Sequence, residues 1–202
     1  MSFQLMRGRF GPRGLMARAV IGLGLSMSAP HTAEACSNSA LISKAGASFL
    51  SAARARSASA FSSALNRYVD IGSVAALALG KHRKRASAAQ RKQITRLTGG
   101  YIARNLAQFS GKFKARSLKI VRCKGSTVET RLVRLNGGVP QRLLWRVSRG
   151  KITDVNVQNV WLGQLLKSNY HSIIRRGGGD VNALIAKLGG SRVRTAKNGT
   201  SK

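Results

Sequence analysis

Leu143 to Leu162 reads LLWRVSRGKITDVNVQNVWL. Leu143, Trp145 and Val147 alternate with Leu144, Arg146 and Ser148, and Thr153, Val155 and Val157 alternate with Asp154, Asn156 and Gln158. Two period-two runs joined at Arg149-Gly150 predict a β-hairpin with one apolar face. A hairpin alone is marginal in water, so that face needs a cover. The fold class therefore turns on what flanks the hairpin.

Upstream, Leu118–Cys123 and Val128–Leu135 also alternate. Asn136-Gly137 is a strong turn signal, and Pro140 opens the next strand. Together with the hairpin this gives about four antiparallel strands in series, a meander. Before the strands the period is helical. Ser37–Asn66 is rich in Ala and Ser, with apolar residues at Leu41, Ile42, Phe49, Leu50, Phe61 and Leu65, and a break is expected between Arg54 and Ser59. Asp70 can cap Ile71–Leu79 (IGSVAALAL), and Gly80 stops it. That helix is apolar all round, which predicts burial. Lys81–Arg85 (KHRKR) reads as a solvated loop. Ser87-Ala88-Ala89-Gln90 is a capping box, after which Ile94, Leu97, Tyr101, Ile102, Leu106 and Phe109 recur at helical spacing. Gly99-Gly100 inside this helix predicts close approach of a neighbouring backbone or a ligand, since each Gly costs ~1 kcal/mol there.

After the hairpin, Trp161–Arg176 is again helical and Gly177-Gly178-Gly179 ends it. Asp180 caps a short helix, VNALIAKL, closed by Gly189-Gly190. Helices, then strands, then helices is an α+β pattern. The chain has 202 residues, 43% of them hydrophobic. That is enough for one compact domain with a real core, placed at residues 36–190. Residues 191–202 read as a basic, disordered tail.

The N-terminus reads as an export signal, residues 1–35. Arg7, Arg9, Arg13 and Arg18 precede a short apolar run at Ala19–Met27, and Ala33-Glu34-Ala35 offers a cleavage site. No apolar run approaches the ~20 residues that span a bilayer. The two cysteines, Cys36 and Cys123, could pair in an oxidising compartment, stay free, or carry a lipid at Cys36.

Lys plus Arg is 36 and Asp plus Glu is 5, a net charge of +31. Cleavage after Ala35 would remove only four Arg and Glu34, so the charge belongs to the rest of the chain. Such a charge speaks of partners, not fold. Enzyme chemistry finds no support: four acidic residues follow the signal, two of them read as helix caps, and no metal-ligand spacing, nucleophile motif or phosphate loop occurs. Nucleic acid is disfavoured because no helix-turn-helix, zinc finger or aromatic RNA-binding pattern is present.

Tyr68-Val69-Asp70, ALALG (Ala76–Gly80), Ala88-Ala89-Gln90-Arg91, GGYIARNL (Gly99–Leu106), the strand pair Leu144–Leu162, and Gly177–Asp180 through Leu188 follow in an order and spacing that resembles the periplasmic lipid-carrier family of the Mla pathway, also called the toluene-tolerance or MlaC-like family. The resemblance runs from about Phe61 to Leu188. It implies a periplasmic protein of a Gram-negative bacterium that carries phospholipid between the outer membrane and an inner-membrane ABC transporter with its lipid-binding ring component. It further implies an outer-membrane lipoprotein complex as partner, transient contact with membrane surfaces, no catalysis and no cofactor. The implied fold is a twisted antiparallel sheet with helices packed on it and acyl chains between them.

The residues themselves permit such a cavity. Burial of acyl chains is worth ~0.8 kcal/mol per CH₂, so the pocket needs no special polar chemistry. The expected lining is Val74, Leu77, Ile94, Leu97, Tyr101, Leu106, Trp145, Val157 and Val160, each of which is otherwise ordinary core. Two alternatives stand beside it: a carrier of a sterol-like or hopanoid lipid, and a basic periplasmic protein that binds polyanions.

Overall fold

The computed structural model describes residues 36–190. The expected signal and tail lie outside the described residues. Within them the order is α1 (Ser39–Arg54), α2 (Ala58–Tyr68), α3 (Ile71–Leu79), a short 3₁₀ turn (Gly80–Lys84), α4 (Ala88–Phe113), β1 (Ala115–Lys124), β2 (Thr127–Arg134), β3 (Gln141–Ser148), β4 (Lys151–Val157), β5 (Val160–Trp161), α5 (Leu162–Arg176) and α6 (Val181–Leu188). The sheet is a five-stranded antiparallel meander in the order β1-β2-β3-β4-β5. The α+β class is as expected. The fifth strand is a two-residue return after Gln158-Asn159, which both take positive φ and so turn the chain back at once.

Local signals were obeyed where a side chain can close its own bond. The break between the first two helices falls at Ala55–Ser57, and the Ser57 hydroxyl caps α2 by accepting from Ala60 N–H at 3.1 Å. Asp70 Oδ1 accepts from Ser73 N–H at 2.9 Å, and Gly80 at φ +50° ends α3. Ser87 and Gln90 form the reciprocal capping box of α4. Arg149 and Gly150 have φ of 50° and 70°, the left-handed pair that suits a two-residue hairpin.

Two readings need correction. KHRKR is not wholly solvated. Its turn exposes Lys81, Arg83, Lys84 and Arg85 but buries His82, whose Nε2 lies 2.9 Å from His171 Nδ1 on α5. Burial above all, then electrostatic repulsion from His171, Lys81 and Arg85, holds His82 below the ordinary imidazole pKa. Gly99 is not at a close backbone approach: a Cβ there would meet Ile71 and Asn66 at ordinary contact distances of 3.8 and 3.9 Å.

Cys36 and Cys123 form a disulfide, with Cα atoms 5.5 Å apart. It joins the residues preceding α1 to the end of β1 across 87 positions. A closure of that length restricts the unfolded chain by ~4 kcal/mol.

The apolar side chains sort into three clusters. One is helical, formed by α3, α4, α5 and α6 around Ile94, Tyr170, Ile174, Leu184 and Leu188. One lies between the sheet and α1–α2. A smaller one, around Phe61, Leu65 and Ala103, joins α1, α2 and α4.

Candidate functional site

Apart from the irregularities at Arg116, Val121 and Thr153, the pairing register assigns the residues of β1–β4 to faces. Val128 faces Trp145, which faces Val155; Thr130 faces Leu143, which faces Val157; Leu118 faces Leu132, and Ile120 faces Thr130. These side chains share one side of the sheet, the side of α1 and α2. The other side carries Lys119, Arg131 and Arg142 in one cross-strand row, and Arg122, Glu129 and Leu144 in the next.

The apolar side is nearly free of polar demands. Trp145 Nε1–H donates to Thr130 Oγ1 at 2.8 Å, which satisfies the buried indole. On the helices, the Ser48 hydroxyl lies 3.4 Å from the Tyr68 hydroxyl. Gly46 lets α1 lie directly on β1: a Cβ there would stand 2.6 Å from Leu118 Cδ2. The start of α1 is held by the disulfide to Cys123. The end of α2 is stitched to β4 by a parallel bridge between Val69 and Ile152, by Asp70 N–H to Ile152 O at 2.9 Å, and by Lys151 Nζ to Arg67 O at 2.5 Å.

Both fastenings sit towards one end of the layer, although Cys36, Val69 and Cys123 there are themselves only half-buried. Val128, Val147 and Ile152 are at most 4% exposed. Towards the other end, Leu118, Leu132 and Val157 are only half-buried. The layer is thus closed at the Cys123–Ile152 end and opens where β2 ends and β3 begins. An open cleft of about 620 Å³ lies at that same end, lined by Arg134, Val139, Pro140, Gln141, Arg142, Asn156, Gln158 and Asn159. Six of its eight lining residues are polar or basic, and two of them, Arg142 and Asn156, belong to the side of the sheet away from α1 and α2.

The nine residues expected to line a cavity are not gathered in one place. Trp145 and Val157 belong to the sheet layer. Ile94, Leu97 and Tyr101 belong to the helical core. Leu106 is in the α1–α2–α4 cluster. Val74 is buried on α3; Leu77 is 39% exposed and leans over Gly163; Val160 is 48% exposed on β5. Leu118, Ile120, Leu132, Leu143 and Val155 belong to the layer but were not among the expected lining. Their period-two pattern was visible, but it does not say which alternate set faces the helices until the register is known.

Among the described residues the acidic side chains are all structurally engaged. Asp70 and Asp180 cap α3 and α6. Asp154 Oδ1 accepts from Gly163 N–H at 2.9 Å, and so caps α5 from β4 in place of Trp161, which has no capping side chain. Glu129 accepts from Arg122 Nε at 2.7 Å and from Arg142 Nε at 2.8 Å. The Arg142 and then the Arg122 bonds lower its pKa to about 2. Among the described residues no three His, Cys, Asp or Glu side chains come together as a metal site would require. No described helix is long and apolar enough to cross a membrane.

The family model described as MlaC protein matches residues 39–189. The chain belongs to the MlaC family. Among solved structures it is similar to the phospholipid-binding protein of Ralstonia solanacearum, determined in complex with a phospholipid. The two share 20% identity with a TM-score of 0.60, over 75% of this chain and 94% of that one. No curated protein matches the chain. The family match spans α1 to α6.

Proposed function

We propose that this chain is a periplasmic phospholipid carrier, the soluble lipid-binding component of an ABC-type system that moves phospholipid between the outer and inner membranes. The observation that carries the reading is the sheet layer itself in a chain of this family. It is a satisfied, apolar seam, closed at one end by a disulfide and a strand bridge and open at the other. The phospholipid complex of the Ralstonia relative supports the same ligand class.

In this reading the acyl chains enter past Leu132 and Val157 and lie along Leu118, Leu143 and Val155, while α1 and α2 move apart from the sheet to admit them. Each buried CH₂ contributes ~0.8 kcal/mol, so a dozen suffice for tight retention without a directional contact. The headgroup stays at the open end, in water and near Arg134. No proton transfer or covalent step is involved, which agrees with a chain whose described carboxylates are committed to caps and ion pairs. The transporter, its lipid-binding ring and an outer-membrane lipoprotein complex are the proposed partners.

Native mass spectrometry of the purified protein, followed by organic extraction, tests the reading. Phospholipid at close to one molecule per chain is expected. A folded protein that carries a polycyclic lipid instead, or nothing, contradicts it.

A further inference from the structure

The open end of the sheet layer is also where the exposed apolar residues and the cations converge. The β2–β3 loop carries Leu135, 51% exposed, and Val139, 87% exposed. Between them Gly137 and Gly138 have φ of 73° and 89°, with nothing within 4 Å of a Cβ placed on either, so the loop projects from the fold. Leu135 N–H donates to Lys114 O at 2.7 Å, which fastens the loop to the end of α4. There Phe109 is 42% exposed, with Lys112 Nζ 5.3 Å from its ring centroid.

Around these apolar residues stand Lys112, Lys114 and Arg134, and three positions earlier on β2 Arg131 points to the other face of the sheet; all four are exposed. The one carboxylate of β1–β3, Glu129, is buried and already shared by Arg122 and Arg142. The cations of this end are therefore not neutralised by the strands that carry them.

We infer that this end of the molecule is a docking surface for an anionic phospholipid bilayer, with Leu135 and Val139 set into the headgroup–acyl boundary and Arg131 and Arg134 on the lipid phosphates. The two halves of the patch select that partner. A polyanion such as nucleic acid answers the arginines but offers no medium for Val139. A neutral apolar partner answers Val139 but not the arginines. An anionic membrane surface answers both, because basic side chains keep their heads in the charged headgroup layer while neighbouring apolar groups enter below it. The choice of a bilayer over an acidic protein groove rests on the carrier reading, which puts the mouth of the lipid layer at the same end.

The test is flotation of the purified protein with phosphatidylglycerol–phosphatidylcholine vesicles, with pure phosphatidylcholine as the neutral control. Three double variants of exposed residues are compared: Arg131→Gln with Arg134→Gln, Leu135→Ser with Val139→Ser, and Lys81→Gln with Lys84→Gln on the 3₁₀ turn. Each cation near an anionic surface is worth roughly fivefold in partitioning, so the arginine pair is expected to weaken binding ~25-fold. The lysine pair removes the same charge and is expected to leave it nearly unchanged. The Leu135/Val139 pair is expected to weaken binding at every salt concentration, whereas added salt suppresses only the charged share. Equal losses from both charge pairs, no dependence on Leu135 and Val139, or binding to polyglutamate but not to vesicles would overturn the proposal. Lipid content measured on the same samples separates the two readings. Protein that docks but carries no lipid contradicts only the carrier; protein that carries lipid but does not dock contradicts only the docking surface.

Discussion

The helical core and the sheet layer are made of the same kinds of side chain and are finished to different degrees. Around Ile94, Tyr170 and Leu184, ten apolar residues are buried and four are partly so. Between the sheet and α1–α2, nine are buried and ten are partly so. Hydrophobicity does not separate the two regions. Cover does. In the helical core α6 and α5 close over α4, and the buried Tyr170 hydroxyl meets the Thr98 hydroxyl at 2.8 Å while burial pushes its pKa up to about 12. In the sheet layer the disulfide and the strand bridge that fasten α1 and α2 lie near one end of the strands, while a single side-chain bond, Arg54 Nη2–H to Arg116 O at 2.8 Å, holds α1 near the other. A closed core stabilises the fold; in the carrier reading, the seam keeps apolar area in reserve for a ligand.

The comparison can be broken at its fastening. Cys36→Ser is expected to lower stability by ~4 kcal/mol through the longer unfolded loop. It should also loosen α1 from β1, so hydrogen exchange should accelerate in α1 and β1 before α4 and α5. Uniform acceleration would mean that the two regions are one cooperative unit.

Truncation sharpens the contrast. Leu184→Ala in the closed core is expected to cost ~3 kcal/mol in urea denaturation, because the site cannot collapse around the deleted atoms. Leu132→Ala at the open end is expected to cost ~1 kcal/mol, since its environment is already half solvent and no closed cavity is left behind. If Leu132→Ala costs as much as Leu184→Ala, the layer is ordinary core.

Asp154 is where the two regions meet, because it sits on β4 and caps α5. Asp154→Asn keeps the shape and removes the charge at that helix N-terminus, with an expected loss of ~1 kcal/mol by thermal or urea unfolding. A neutral outcome would mean that α5 is held by packing alone.

Acid separates the regions further. His82, in the helical core, has its pKa lowered by burial, so its contribution is present above the ordinary value of 6.5 and is lost as pH falls below it, when the unfolded chain takes up the proton first. Glu129, on the sheet, has its pKa lowered by Arg142 and Arg122 from 4.5 to about 2, so its contribution is present above pH 4.5 and is lost on descent towards pH 2. His82→Gln is expected to flatten the first part of a stability–pH curve, and Glu129→Gln the second. A single unchanged transition in both variants would contradict these assignments.

Much of the fold was legible because it is written in short-range chemistry. Asp70, Ser87 and Asp180 each cap the helix that follows them, and Arg149-Gly150 turns the hairpin where the alternation breaks. The α+β order followed from the change of period at Ser117. What was not legible depends on pairing across distance. His82 looked like one more basic-loop residue, and only the fold brings His171 beside it. Cys36 and Cys123 could have remained apart, since their proximity depends on α1 lying along β1. The expected lining of the cavity was scattered for the same reason. Amphipathic spacing marks Ile94 and Leu97 as inward-facing, but it does not tell which of several apolar layers they face. Gly46, which lets α1 approach Leu118, was hidden in a run of small residues.

The most direct test of the open seam is the lipid content of Val157→Asp beside the unaltered protein, read by native mass spectrometry, with circular dichroism to confirm the fold. Val157 is half-buried at the mouth, so the account expects a folded variant that has lost most of its phospholipid while the unaltered chain retains about one. A folded Val157→Asp that keeps its phospholipid would contradict the account, because the acyl chains would then lie elsewhere.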